Sequence, residues 1–246
     1  MMYIFKFFIF IMSINSELQN LKFLLNAGIS EFLQNNPNPK YHIQNEKKDT
    51  IKIMPNNIQD IDTLDSLEQF IRNYDKCTLK KKATQTVFAD GNPSAKIMLI
   101  GEAPGAEEDK LGKPFVGRAG QLLDKMLAAI KLDRNMVYIT NVVPWRPPSN
   151  REPSSDEILQ CLPFIQKHIE IVKPSILILL GGTAAKAILT TSLGITKLRG
   201  SWHTYNSPKL RNPIPTRAIF HPAFLLRSPA RKKEAWEDLL EIQKKL

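Results

Sequence analysis

The sequence predicts an α/β protein with three layers, in which helices cover both faces of a central, mostly parallel four-stranded sheet. Short apolar runs that suit buried strands alternate with longer stretches of helical periodicity from residue 96 onward. This alternation is typical of parallel sheets, because each crossover connection carries a helix onto one face. A length of 246 residues with 43% hydrophobic residues also favours one well-packed domain.

The predicted strands are short runs rich in branched apolar side chains, and they cover Lys96–Ile100, Val137–Val143, Ile176–Leu180 and Thr216–Phe220. The predicted helices have apolar residues at three- and four-residue spacing, and they cover Leu64–Tyr74, Gly120–Ile130, Ser154–Val172, Thr183–Leu189 and Ala230–Lys245. Asp62 or Thr63 is expected to cap the first helix, because either side chain can accept a hydrogen bond from a free backbone N–H.

Residues 1–60 are predicted to be an N-terminal extension, and residues 61–246 to form the domain. The apolar segment Met1–Met12 is shorter than the roughly 20 residues that a membrane-spanning helix needs, and it lacks the features of a secretory signal. We therefore expect Met12 to be the true start and residues 1–11 to be a start artefact. An amphipathic helix over Ser13–Phe32 and a polar linker over Asn35–Asn57 are predicted to follow.

The net charge indicates which classes of partner the protein binds, and the cysteine content indicates its redox compartment. There are 34 Lys and Arg residues against 24 Asp and Glu, so the net charge is +10, which favours nucleic acid or an acidic membrane surface. Two cysteines in a chain of this length provide no disulfide framework. We expect a reducing, cytoplasmic compartment, a monomer and no membrane association.

Four loops follow the predicted parallel strands and should meet at the carboxyl edge of the sheet, where ligands bind in open α/β folds. They cover Gly101–Gly120, Pro144–Pro153, Gly181–Thr183 and His221–Pro229. Each is richer in polar residues or glycine than a plain connector. Taken singly, an aromatic such as Phe115 is more often a core residue, and Asn141 at a strand end more often bonds to the backbone.

In combination these segments resemble the uracil-DNA glycosylase superfamily, and most closely its family 4. The resemblance runs from about Cys77 to the C-terminus, and six motifs carry it in order: GEAPGAEED at Gly101, KPFVGRAG at Lys113, YITNVVPWRPP at Tyr138, LLGGTAAKA at Leu179, ITKLRG at Ile195 and HPAFLLR at His221. It implies a DNA repair enzyme that flips uracil out of DNA and hydrolyses its N-glycosidic bond, leaving an abasic site.

The resemblance also implies roles around the flipped base. Phe115 matches the aromatic residue on which uracil stacks, and Asn141 matches the residue whose amide pairs with the uracil edge. His221 matches the donor near uracil O2, where negative charge develops on the leaving group. The backbone around Glu102 and Ala103 would assist.

The water-activating group is left open by the sequence. Ala103 stands where the related family 1 loop has an aspartate. Either another group activates the water, with Glu102 and Glu108 as the candidates, or stabilisation of the sugar cation suffices without such a group. Gly105 stands where that loop has a thymine-excluding tyrosine, and we expect Glu108 to help fill this space.

On the DNA side, the resemblance assigns Gly182 and Thr183 to a phosphate clamp and Arg227 to a backbone contact. Leu225 and Leu226 match the wedge that fills the gap left by a flipped base. Uracil-containing DNA is thus the expected partner.

Family 4 enzymes hold a 4Fe-4S cluster with four cysteines, and this chain departs from that pattern. Cys77 and Cys161 match two of the ligands, whereas Tyr74 and Trp145 occupy the other two positions. Two thiolates are too few for a four-cysteine cluster, so we expect no metal or cofactor, with the two aromatic residues replacing the cluster by packing.

Two alternatives to a uracil-DNA glycosylase remain at this stage. One is an enzyme of the same fold that acts on a different damaged base, since Ala103 and Gly105 leave the pocket open. The other is a protein that binds damaged DNA with little turnover. The presence of both Asn141 and His221 favours catalysis, because a pure binder would not need a donor to the leaving group.

Overall fold

A six-stranded mixed sheet forms the centre of the part of the chain that the structure describes, residues 57–246. The structure is a computed structural model. Its strands are β1 (Asp90–Gly91), β2 (Ile97–Gly101), β3 (Val137–Asn141), β4 (Ile176–Leu180), β5 (Trp202–Tyr205) and β6 (Ile214–Ile219), in the spatial order β1-β3-β2-β4-β6-β5. The predicted start at Met12, the helix Ser13–Phe32 and nearly all of the polar linker lie outside the described residues.

The predicted α/β class and the parallel centre of the sheet are confirmed. β3, β2, β4 and β6 pair in parallel, and these are the four strands that the sequence predicts. The sheet is wider than predicted, because β1 and β5 add one short antiparallel strand at each edge. β1 is two residues long and β5 is only partly buried, so neither carries the apolar run that marks the central strands.

Eight α-helices accompany the sheet in residues 57–246: α1 (Leu64–Asn73), α2 (Ala106–Leu111), α3 (Arg118–Ala129), α4 (Ser155–Val172), α5 (Gly182–Leu189), α6 (Ile195–Leu198), α7 (Pro222–Arg227) and α8 (Lys232–Gln243). The five helices predicted within this range are all present. Thr63 caps α1, since its hydroxyl accepts from Ser66 N at 3.2 Å. The other three helices have four to six residues, which is too short for a clear periodic pattern.

Separate apolar cores lie on the two faces of the sheet, which gives the predicted three layers. Successive β2 residues alternate between these cores, with Met98 on one face and Leu99 on the other. Helices α1, α4 and α5 cover the first face, and α3, α7 and α8 cover the second. None of the helices within residues 57–246 combines the length and the apolar character that a membrane crossing requires.

A buried carboxylate ties α8 to the strand that leads into the His221 loop. Asp238 is 0% exposed and accepts from Arg217 Nη2 at 2.8 Å and from Arg199 Nε at 2.8 Å. The Arg199 guanidinium also lies 5.3 Å from the centroid of the Phe220 ring, directly before His221. The network of Asp238, Arg199 and Arg217 therefore holds the end of β6 against α8.

We predict that Asp238→Asn lowers the free energy of unfolding by about 3–5 kcal/mol, because it leaves buried Arg217 without a counter-charge. Urea denaturation would measure this loss. Glu237→Gln is the matched control on the same helix, since the Glu237 side chain is 57% exposed, and it should change stability by less than about 0.5 kcal/mol. Equal effects of the two substitutions would contradict the proposed importance of the network.

Candidate active site

The four loops predicted to meet at the carboxyl edge of the sheet enclose one cavity of about 730 Å³. Each loop contributes lining residues, among them Glu102, Arg151, Gly182 and His221. A volume of this size suits a small ligand such as a nucleoside, since ligand pockets span roughly 300–1,000 Å³.

The floor of the cavity is built by the last residues of two neighbouring strands. Gly101 of β2 and Asn141 of β3 are partners in the parallel ladder. A Cβ atom at Gly101 would overlap Asn141 Oδ1 and would lie 2.5 Å from Phe115 Cζ. Only glycine therefore lets the amide and the aromatic ring approach the same point.

Asn141 is nearly enclosed yet not satisfied. Asn141 is 5% exposed, and its Oδ1 atom has no hydrogen-bond partner among residues 57–246. Leaving a buried acceptor unpaired costs about 1–3 kcal/mol. Because Asn141 also lines the cavity, this acceptor is available to an N–H group of a bound ligand.

Phe115 forms one wall of the cavity and has an unusual backbone. It is 5% exposed, and its φ of 54° lies in the left-handed region, which costs energy for a residue with a bulky side chain. Its ring centroid lies 5.6 Å from that of His221, with the planes inclined by 32°. The structure thus brings the predicted stacking residue and the predicted donor together.

The hydrogen bonds of His221 fix the tautomer of its ring. Its Nδ1 atom accepts from the backbone N–H of Ala223 at 3.1 Å, at the start of α7. Burial, followed by the positive charge of Arg227, lowers the pKa of His221 from 6.5 to about 4. The imidazole is therefore neutral at pH 7, and its proton is on Nε2.

Glu102 is a half-buried carboxylate that lines the cavity. Burial raises its pKa above the ordinary 4.5, and nearby Glu152 raises it further, whereas a hydrogen bond with Thr183 and the charge of Arg227 oppose the shift. A carboxylate that binds protons more readily than usual is suited to accept one from water.

Both carboxylate oxygens of Glu108 accept hydrogen bonds from the loop backbone. Its Oε1 accepts from Val116 N at 2.9 Å and Gly117 N at 2.8 Å, and its Oε2 accepts from Gly105 N at 3.2 Å. A Cβ atom at Gly105 would lie 2.8 Å from Oε2. Glu108 therefore occupies the space beside Gly105, and its oxygens hold the loop backbone.

The residues predicted to face DNA divide into two groups. Gly182, Thr183 and Arg227 line the cavity. Leu226 is 37% exposed, whereas Leu225 is 1% exposed and lies in the core beneath α7. The assignment of Leu225 to the wedge is thus corrected, because a buried core side chain cannot enter DNA without unpacking.

Some lining residues carry no sequence signal of their own. Glu152, Lys186 and Gly194 line the cavity, although the sequence predicts no role for them. Lys186 lies within the LLGGTAAKA motif and Glu152 within the loop Pro144–Pro153. Ile195 also lines it, at the start of the ITKLRG motif.

Arg151 forms a bidentate ion pair with Glu157, with N–O distances of 2.7 and 2.8 Å. The hydrogen bond from Arg151 lowers the pKa of Glu157 to about 2.

The fold and this site define a class of protein. A family model described as the uracil DNA glycosylase superfamily matches residues 88–240. The matched range contains all four loops of the cavity. The chain therefore belongs to the uracil-DNA glycosylase superfamily.

Curated relatives narrow the class to the type-4 enzymes. The chain is 39% identical to the type-4 uracil-DNA glycosylase of Sulfurisphaera tokodaii over 74% of this chain and 84% of the relative. It is 37% identical to that of Archaeoglobus fulgidus over 74% of this chain and 92% of the relative. It is also 39% identical to the type-4 uracil-DNA glycosylase of Thermotoga maritima, over 67% of this chain and 84% of the relative. The chain belongs to the type-4 family.

The four positions that match the cluster ligands do converge in space, but they do not fit a 4Fe-4S cluster. The rings of Tyr74 and Trp145 stack with centroids 6.3 Å apart and an interplanar angle of 14°. Phe164 packs edge-on against both, at 4.9 and 6.0 Å. Within residues 57–246, no group of three or more His, Cys, Asp or Glu side chains is arranged to hold a metal ion.

The two remaining thiols interact with each other. Cys77 and Cys161 are both 0% exposed and share a hydrogen bond. This bond lowers the pKa of Cys77 to about 6 and raises that of Cys161, which is also raised by burial. Rings and a thiol pair thus occupy the place where a cluster would need four thiolates.

We predict that Trp145→Ala lowers the free energy of unfolding by about 3–5 kcal/mol, because Trp145 is 0% exposed and its removal would leave a cavity. Chemical denaturation would measure the effect. Trp236→Ala is the matched control, because Trp236 is 42% exposed, and its loss should cost less than about 1 kcal/mol. A loss below about 1 kcal/mol for Trp145→Ala would show that the stack does not stabilise the fold.

Proposed function

We propose that this protein hydrolyses the N-glycosidic bond of uracil in DNA and leaves an abasic site, in base excision repair. The unpaired Oδ1 of Asn141 is the observation that carries this proposal within the type-4 family. Uracil-containing DNA is the proposed partner. A monomer in a reducing, cytoplasmic compartment remains part of the proposal.

Recognition follows from the donors and acceptors of the base. Uracil N3–H can donate to Asn141 Oδ1, while the Asn141 amide donates to uracil O4. Cytosine presents an acceptor at N3 and a donor at the exocyclic nitrogen, so it would leave both Asn141 groups unpaired. Each unpaired buried group costs about 1–3 kcal/mol. Stacking on Phe115 adds about 1–3 kcal/mol for either base and does not discriminate.

The departing base would be stabilised by neutral His221. As the bond between uracil N1 and the sugar C1′ breaks, both electrons of that bond move to the base and charge grows on O2. The Nε2–H group of the neutral imidazole can donate a hydrogen bond to this oxygen. Removing one such donor typically reduces kcat by about 10²–10³-fold.

Glu102 is the proposed water-positioning group, because Glu108 already accepts three backbone hydrogen bonds. Water adds its oxygen to C1′ of the sugar cation, and its proton passes to the Glu102 carboxylate or to solvent. The negative charge of Glu102 also stabilises the sugar cation. Glu108 is proposed to act by positioning the loop and filling the space beside Gly105.

DNA would be held at the rim of the cavity. The free N–H groups at the start of α5, around Gly182, suit a phosphate group, and exposed Arg227 supplies positive charge. Thr183 also acts on Glu102, since its hydrogen bond with that side chain opposes the rise that burial causes in the pKa of the carboxyl group. Leu226 is proposed as the wedge that fills the gap in the base stack.

We predict that the protein excises uracil from an oligonucleotide that contains one uracil, and that His221→Ala lowers kcat by about 10²–10³-fold. Alkaline cleavage of the abasic product would measure excision. The matched control is His203→Ala, because His203 lies in β5 and bonds to Leu198 O, away from the residues that line the cavity. Binding of this oligonucleotide without excision would instead favour a damaged-DNA binder.

We predict an acid limb in the pH profile of kcat/KM that belongs to Glu102. As the pH falls through the raised pKa of Glu102, the carboxylate gains a proton and the rate falls. No inflection is expected near 6.5, since His221 stays neutral down to about pH 4. Glu102→Gln should lower the rate and remove the acid limb. Persistence of the limb in Glu102→Gln would exclude Glu102 as its source.

A further inference from the structure

We infer that Arg134 is a positioning residue for base stacking, which acts by holding the strained backbone of Phe115; this inference rests on the proposed function. Arg134 begins the turn before β3 and does not itself line the cavity. Its guanidinium reaches two successive carbonyl groups of the loop. Nη1 donates to Pro114 O at 3.2 Å, and Nη2 donates to Phe115 O.

Two carboxylates fix the guanidinium in this orientation. Arg134 Nη1 donates to Asp90 Oδ2 at 2.7 Å, and Nε donates to Asp124 Oδ1 at 2.8 Å. Asp90 belongs to β1 and Asp124 to α3. The planar fork of arginine therefore connects an edge strand, a helix and the loop, which the single ammonium of lysine cannot do with the same geometry.

Phe115 needs such support because its conformation is unfavourable. A φ of 54° is rare for a residue with a bulky side chain and persists only where the surroundings enforce it. A Cβ atom at Gly120 would overlap the Phe115 carbonyl, so the start of α3 presses on the same peptide. Glu108 holds the next two N–H groups, and Arg134 holds the carbonyls.

The expected consequence of losing Arg134 is a displaced ring rather than a lost chemical group. The Phe115 ring lies against Gly101 and beside His221. A small rotation of the Phe115 peptide would move the ring relative to the unpaired Asn141 acceptor. Misplacement by about 1 Å commonly costs up to about 100-fold in rate.

The test measures uracil excision by wild type, Arg134→Gln and Arg134→Lys, each alone and in a Phe115→Ala background. Arg134→Gln should lower kcat/KM by about 10–100-fold in wild type but by less than about threefold when Phe115 is absent. Arg134→Lys should recover only part of the loss, because it keeps the charge facing Asp90 and Asp124 but not the fork. Arg72→Gln is the control, since Arg72 pairs with Glu68 on the solvent-facing side of α1.

Two results would overturn the inference: Arg134→Gln as active as wild type, or an equal loss with and without Phe115. Binding of free uracil provides a second readout and should weaken in Arg134→Gln but not in Arg72→Gln. Should Arg134→Gln fail to fold, Arg134→Lys carries the same comparison. An inactive wild type would overturn the proposed function alone, and the uracil-binding comparison would still test the role of Arg134.

Discussion

The site depends on one backbone pairing, that of Gly101 with Asn141 at the ends of two parallel strands. The pairing places an amide next to a residue without a side chain, and the Phe115 ring fills the remaining space. Any larger residue at position 101 would separate the amide from the ring. Because β2 and β3 are buried along their whole length, the position of both residues is set by the core of the protein rather than by flexible loops.

The support for the loop around Phe115 is distributed over several elements. Glu108 and Arg134 hold its peptides from opposite sides, and Asp109 of the same helix α2 accepts from Thr84 N at 2.8 Å. Strain at Phe115 is thus balanced by charge-assisted hydrogen bonds, which are stronger than neutral ones. The arrangement fixes the ring without a ligand, so under the proposed function less ordering entropy would be lost when a base binds.

The sequence predicted the parts of the molecule that have a strong local pattern. The four central strands and five longer helices were recognisable because buried strands and amphipathic helices repeat at fixed periods. The edge strand of two residues and the helices of four to six residues have no such period. The motifs place Asn141 and His221 at the carboxyl edge of the sheet, and both line the cavity. Arg134 could not be found in this way, since its partners are distant in sequence. Leu225 was misassigned because exposure is a tertiary property.

The aromatic stack at the positions that match the cluster ligands joins several segments of the fold by packing. Its rings tie α1 to α4, and Trp145 Nε1 donates to Thr86 Oγ1 at 3.0 Å. Thr86 is two residues from Thr84, which bonds to Asp109 beside Glu108. Packing at the stack is therefore connected through residues 84–86 to the helix that shapes the cavity. The close-packed rings therefore join these segments directly and connect them to the wall of the cavity.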